Sequence, residues 1–157
     1  LIAALTAASV SNMFEATLEQ LATLAILMTI VPSMGGIAGN QTLALVIRGM
    51  AVGHINDDNS RWLIGKEAMV GALNGAIWAI SIAIIVSLWK GDPSLGLIIG
   101  GAMFINMAMG GLAGVVIPLA MKKYNIDPAL AGGMALTTVT DVVGLFAFLG
   151  MATLVYG

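Results

Sequence analysis

Residues Leu95 to Met121 read LGLIIGGAMFINMAMGGLAGVVIPLAM, without one charged side chain. A helix needs about 20 mainly apolar residues to cross the hydrocarbon core of a bilayer, and this run is long enough. It follows the turn-forming sequence Gly91-Asp92-Pro93-Ser94 and stops before Lys122 and Lys123. The sequence therefore predicts a transmembrane helix here.

Further apolar runs of this kind lie on both sides of it. Each is bounded by charged or turn-forming residues, and the connections between them are too short to fold as soluble domains. The predicted complete spans are Leu18–Met50, Ala68–Trp89, Leu95–Met121 and Pro128–Tyr156, and the predicted connections are Phe14 to Thr17, Ala51 to Glu67, Lys90 to Ser94 and Lys122 to Asp127. Leu1–Met13 is apolar but too short to span, which indicates a first helix truncated at its N-terminus. We predict an all-α polytopic membrane protein with five transmembrane helices in one domain, residues 1–157.

The composition supports the membrane class. Apolar residues make up 59% of the chain and charged residues 9%, whereas a soluble domain has about 45–50% and about 25%. Too few charges remain to cover a water-facing surface. The chain also has no basic stripe for phosphate contacts, so we expect no nucleic-acid partner.

Enzymatic chemistry lacks its minimum residues. The chain has no cysteine, and His54 is its one histidine. The patterns HExxH, GxSxG and Walker A are missing from the sequence. We therefore expect no enzyme and no thiolate metal site.

The distribution of cations predicts the orientation. Arg48, Arg61 and Lys66 flank the second connection, Lys122 and Lys123 occupy the fourth, and Lys90 lies on the opposite side. Cytoplasmic loops carry an excess of Lys and Arg. We expect a multi-pass protein of the inner (plasma) membrane, with residues 51–67 and 122–127 in the cytoplasm and the C-terminus outside.

Asp141 is the most informative residue, because it lies near the midpoint of the last span. A carboxylate at that depth costs at least about 2.5–3.5 kcal/mol, which favours a cation site or proton relay facing water over a packing role. Thr137 and Gly133 lie one and two turns earlier on the same face. With Gly144 or Leu145 below, these residues predict a column of oxygen ligands; the alternative is a small-residue stripe for helix packing.

A second signal lies in the middle of the first complete span. It reads Pro-Ser-Met-Gly-Gly-Ile-Ala-Gly-Asn-Gln-Thr over residues 32–42. Pro32 can bend this helix, and its small residues can expose backbone carbonyls beside water or protein. Gly36 and Asn40 belong to this segment. Gly35 and Gly39 also form a GxxxG pair, so a tight helix crossing stays an open alternative.

Other small and polar residues inside the spans are interpreted as packing positions. They are the pairs Gly71/Gly75, Gly96/Gly100 and Gly110/Gly114, and the amides Asn74 and Asn106. Glu15 and Glu19 lie between the first two helices, either as a solvated loop or as a cation-collecting mouth. Asp127 before Pro128 predicts a helix N-cap.

The oxygen-only ligand set suits Mg²⁺, Ca²⁺ or Na⁺. One carboxylate per chain is too little for a divalent ion in a dry site. A twofold axis beside the last helix would bring two Asp141 carboxylates together. Because Mg²⁺ usually keeps several waters, such a wide site is expected to hold it through its water shell.

The sequence resembles the MgtE family of magnesium channels over nearly its whole length. The resemblance is carried by Phe14-Glu15, Leu27-Met28, Gly35-Gly36-Ile37-Ala38-Gly39-Asn40-Gln41-Thr42, Val46-Ile47-Arg48-Gly49, Lys66-Glu67, Gly71-Ala72-Leu73-Asn74-Gly75, Ile117-Pro118-Leu119, Ile126-Asp127-Pro128-Ala129 and Thr137-Thr138-Val139-Thr140-Asp141-Val142. One position departs from the pattern, since Ile37 stands where family members commonly have Asn.

The resemblance implies a homodimer in the lipid bilayer, with a Mg²⁺ pore lined by the second and fifth helices of each subunit. Asp141 is then the selectivity carboxylate for hydrated Mg²⁺, Thr137 adds a backbone oxygen, and Gly36 and Asn40 face the pore. Family members usually carry a cytosolic Mg²⁺-sensing region with CBS domains before the first helix. We expect the present chain to be the transmembrane pore domain without that region.

Two other functions remain open from the residues alone. A proton- or Na⁺-coupled cation transporter would use the same aspartate as a relay. A non-conducting assembly subunit would tolerate replacement of Asp141 by Leu.

Overall fold

The computed structural model describes residues 2–14, 22–55 and 57–156, and the side chains of residues 22, 23, 57 and 58 are left out of the description. The described residues form helices α1 (Ile2–Met13), α2 (Ala22–Leu27), α3 (Ile30–Ala51), α4 (Asp57–Lys90), α5 (Pro93–Lys123) and α6 (Pro128–Tyr156). Within these residues, four spans are long and apolar enough to cross a membrane: Leu24–Ala51, Asn59–Lys90, Pro93–Lys123 and Pro128–Tyr156. The predicted all-α membrane protein with four complete spans and a short first helix is confirmed.

The first of these spans is interrupted near its start. Helices α2 and α3 are separated by a turn at Met28 and Thr29. Pro32 lies four residues after Met28, so it has no N–H to donate to the Met28 carbonyl and its ring crowds that group. The interruption lies within one turn of Pro32, the residue expected to bend this helix, and α3 is continuous through Gly35, Gly36 and Gly39.

Helix α4 begins earlier than predicted. The connection expected over Ala51 to Glu67 is reduced to a few residues, because α3 ends at Ala51 and α4 starts at Asp57. Residues 57–67 carry the charged side chains that marked them as a connection, but they contain no helix-breaking proline, so the backbone stays helical through them. Arg61 and Lys66 thus lie on a helix that extends beyond its apolar segment.

Helix α5 is the centre of the bundle, in contact with α3, α4 and α6. Its glycines allow the closest approaches. A β carbon on Gly110 would lie 2.5 Å from the Gly35 carbonyl oxygen of α3, and one on Gly100 would lie 2.9 Å from the Ala79 carbonyl oxygen of α4. These contacts confirm that the GxxxG pairs of α5 are packing positions.

Two aspartates cap the N-termini of α5 and α6. The Asp127 carboxylate accepts a hydrogen bond from the Ala129 backbone N–H at 2.9 Å, which confirms the predicted N-cap. The Asp92 carboxylate accepts from the Ser94 N–H at 2.9 Å and the Leu95 N–H at 3.3 Å. It also accepts a hydrogen bond from the Tyr156 hydroxyl, so the first turn of α5 is tied to the last turn of α6.

Some predicted features lie outside the described residues. These are Glu15 and Glu19, the start of the span at Leu18, and the connection after Phe14. Phe14 itself is described, and its ring packs edge-on against Phe146 with centroids 5.8 Å apart. This contact holds the C-terminal end of α1 against α6.

Candidate cation site

Asp141 lies halfway along α6 and is partly exposed. Among the described residues, neither a hydrogen-bond donor nor a basic side chain pairs with its carboxylate. A carboxylate at membrane depth without a protein partner requires water or a cation beside it. Its position therefore supports an aqueous or ionic site.

Three residues of the predicted column lie on one face of α6. Gly133, Thr137 and Asp141 follow one another at intervals of one turn, and all three are partly exposed. The Thr137 hydroxyl donates to the Gly133 carbonyl at 2.9 Å. Its proton is thus occupied, while its oxygen lone pairs remain able to accept a hydrogen bond from a water or to face a cation.

The facing surface of α3 supplies further oxygen atoms. The exposed Asn40 side chain donates through Nδ2 to the Gly36 carbonyl at 2.9 Å. A β carbon on Gly133 would lie 3.6 Å from Asn40 Oδ1, and one on Gly36 would lie 3.5 Å from the Thr140 hydroxyl. Helices α3 and α6 therefore lie side by side, with Gly36 and Asn40 of α3 beside Thr140 and Gly133 of α6.

Gly144 lies apart from this exposed surface. It is buried, and a β carbon there would lie 3.1 Å from Pro32 Cα and 2.8 Å from Asn106 Nδ2. The structure thus places Gly144 where α6 packs against α3 and α5.

Asn106 of α5 lies at the junction of the three helices and is fully buried. Its Nδ2 donates to the Val31 carbonyl at 2.7 Å, which agrees with the interhelical role expected of it. Its Oδ1 is the one buried side-chain polar atom without a partner among the described residues. Gly35 and Gly144 make room for its amide group.

A cavity of about 380 Å³ opens beside Asp141. It is bounded by α1, by the turn before α3 and by α6. The lining residues are Ala7, Ala8, Ser11, Met28, Thr29, Pro32, Ser33, Asp141 and Leu145. Of the three hydroxyl residues among them, Ser33 belongs to the segment 32–42 that the sequence analysis singled out. Sequence reasoning missed Ser11 and Thr29, because isolated Ser and Thr in apolar helices carry no pattern that distinguishes a cavity wall from a lipid face.

Within the described ranges, no three His, Cys, Asp or Glu side chains come together. A closed cage of several protein carboxylates is therefore not formed by those residues of one chain. Ile37 is 55% exposed on α3.

Comparison with known proteins identifies the family. A family model described as MgtE, divalent cation transporter, matches residues 28–151, which include α3 to most of α6 and Asp141. The chain belongs to the MgtE family. This is a family of transporters, not of enzymes.

Three curated proteins, each named magnesium transporter MgtE, are similar over nearly the whole chain. The protein of Bacillus subtilis (strain 168) is 34% identical over 145 residues, 92% of this chain and 32% of its own length. The Enterococcus faecalis protein is 33% identical (95% and 33%), and the Thermus thermophilus protein 30% identical (93% and 32%). The chain thus spans about a third of the length of these relatives.

Proposed function

We propose that the chain is the pore domain of a Mg²⁺ channel, and that hydrated Mg²⁺ passes along the shared surface of α3 and α6 into the cytoplasm. The unpaired Asp141 carboxylate at mid-membrane depth carries this proposal, because it is a charge that the described residues do not neutralise. The names of the relatives support Mg²⁺ as the transported ion.

Each residue of the proposed site has a distinct role. Asp141 provides the negative charge and accepts hydrogen bonds from water bound to Mg²⁺. Thr137, Gly133, Gly36 and Asn40 provide oxygen atoms along the path, and the small residues leave space for the water shell. Gly144 is left out of the proposed site, because it is buried against Pro32.

A second copy of the chain completes the site. One carboxylate gives a charge of −1, whereas a twofold axis along the α3–α6 surface would place two carboxylates at one height. The same contact would remove the exposed Asn40 and Gln41 side chains from lipid, where unpaired polar groups are costly. We therefore propose a homodimer with the pore at its interface.

The proposed orientation rests on the basic residues, which cluster at one end of the bundle. Arg48 near the end of α3, Arg61 and Lys66 near the start of α4, and Lys122 and Lys123 at the end of α5 lie on one side. We propose that this side faces the cytoplasm of the plasma (inner) membrane.

The test is Mg²⁺ flux into proteoliposomes that contain a Mg²⁺-sensitive dye, under a Mg²⁺ gradient and without a proton gradient. The Asp141→Asn variant keeps the shape of the side chain and removes its charge. A hydrogen bond to a charged group contributes about 1.5–3 kcal/mol, so we expect the flux to fall about tenfold or more. Asp127→Asn is the matched control, because Asn also serves as an N-cap, and it should conduct like the parent.

Equal flux from the parent and Asp141→Asn would refute the assignment of Asp141. If the parent conducts only when a proton gradient is applied, a coupled transporter replaces the channel proposal.

A further inference from the structure

The cavity beside Asp141 is lined by hydroxyl groups that the protein leaves without hydrogen-bond partners. Other hydroxyls in these helices bond back to a carbonyl one turn earlier, as Ser9 does to Leu5 at 2.8 Å and Thr138 to Met134 at 2.9 Å. In the described part of the chain, no such bond engages the side chains of Ser11, Thr29 or Ser33. A hydroxyl in an apolar bundle is costly without a partner, so these three indicate water in the cavity.

The size and lining of the cavity fit a hydrated ion. One water takes about 30 Å³ in the liquid, so a cavity of about 380 Å³ has room for about a dozen waters. Three hydroxyls and the unpaired Asp141 carboxylate line this one cavity. Mg²⁺ gives up its waters reluctantly, and such a lining can accept hydrogen bonds from those waters without stripping them.

The residues that line the cavity show on which side of Asp141 it lies. Ser11 lies near the end of α1, and Thr29 and Ser33 lie at the start of α3. That is the side of Asp141 on which Phe14 meets Phe146, away from the end with five cations. The cavity thus lies between Asp141 and the side proposed to be outside the cell.

We propose that this cavity is a water-filled vestibule within each protomer, walled by α1, through which a hydrated divalent cation reaches Asp141. Ser11, Thr29 and Ser33 bind the waters of the ion. The identity of the ion rests on the proposed function, whereas the water path does not. Helix α1 then forms part of the ion path, in addition to α3 and α6.

The chain has no cysteine, so single cysteine variants can be tested against a clean background. Ser11→Cys places a thiol in the vestibule. Ser9→Cys is the matched control, because Ser9 is an exposed residue of α1 that does not line this cavity. Ser33→Cys tests the opposite wall and preserves the test if Ser11→Cys does not fold. Folding of every variant is checked by its elution from a size-exclusion column.

The probe is a membrane-impermeant, positively charged methanethiosulfonate applied to the purified chain in proteoliposomes. It reacts with thiolates, which form in water and not in hydrocarbon. We expect Ser11→Cys and Ser33→Cys to react at least about tenfold faster than Ser9→Cys. Millimolar Mg²⁺ should slow both reactions, and modification should block Mg²⁺ flux.

Equal, slow reaction of the three variants would overturn the vestibule. Fast reaction that Mg²⁺ does not slow would overturn the passage of the ion through it. The proposed function fails separately, if the unmodified parent does not conduct Mg²⁺. Fast labelling of Ser11→Cys in that case would still support the water path.

Discussion

Replacing Gly110 by Ala should separate α3 from α5 at their closest approach. The added β carbon would lie 2.5 Å from the Gly35 carbonyl oxygen, while ordinary van der Waals contact begins at 3.4 Å. The obstacle is backbone and no side-chain rotation relieves it, so the helices must move apart by about 0.9 Å at this point. A gap of that size forfeits a quarter to a half of the dispersion energy of the contacts around it.

The stability cost of the close contact can be separated from the effect of Ala on helix propensity. Gly150→Ala is the matched control, because a β carbon at Gly150 meets no atom of the described residues within 4 Å. Both variants gain the same helix propensity, about 1 kcal/mol at most. Their difference therefore isolates the overpacking, for which we expect a loss of about 1–3 kcal/mol in the free energy of unfolding.

The assay is unfolding in mixed micelles by a graded addition of sodium dodecyl sulfate, followed by circular dichroism. Mg²⁺ flux is measured on the same preparations. Because α3 carries Gly36 and Asn40, its displacement should lower the flux of Gly110→Ala and leave that of Gly150→Ala unchanged. Equal stability and equal flux in the two variants would refute the close α3–α5 crossing and the reasoning built on it.

Two further predictions concern polar contacts between helices. At the buried Asn106, the Leu variant loses the bond to Val31 together with the unpartnered Oδ1, so its unfolding free energy should stay within about 1 kcal/mol of the parent. The Asn106→Asp variant buries a charge and should lose several kcal/mol of unfolding free energy. Similar losses in both variants in the same assay would contradict this account. At Asp92, the hydrogen bond from Tyr156 holds the pKa of the carboxyl below its usual 3.8. The stabilisation is thus complete above pH 3.8 and is lost as the pH falls through the lower folded value. The thermal midpoint of the parent should drop over this range more steeply than that of Asp92→Asn, and parallel curves would speak against the contact.

Much of the candidate site follows from local sequence. The intervals between Gly133, Thr137 and Asp141 are one helical turn each, so their common face is set once the span is known to be helical. Gly36 and Asn40 were placed opposite them through the family resemblance, and the structure brings them beside α6. The burial of Gly144 was not foreseen, because it depends on Pro32 and Asn106, which belong to two other helices.

The sequence by itself determined the membrane class, the four complete spans and the depth of Asp141. These features depend on the transfer of consecutive side chains and their hydrogen-bonded backbone into lipid, which is a local property of about 20 residues. The tertiary structure decided the break before α3, the contact of Asn106 with Val31, and the meeting of Ser11, Thr29 and Ser33 beside Asp141. In lipid, helices are positioned by close packing and interhelical hydrogen bonds. Which faces meet therefore depends on pairs of distant residues such as Gly35 and Gly110, and hydropathy does not record those pairs.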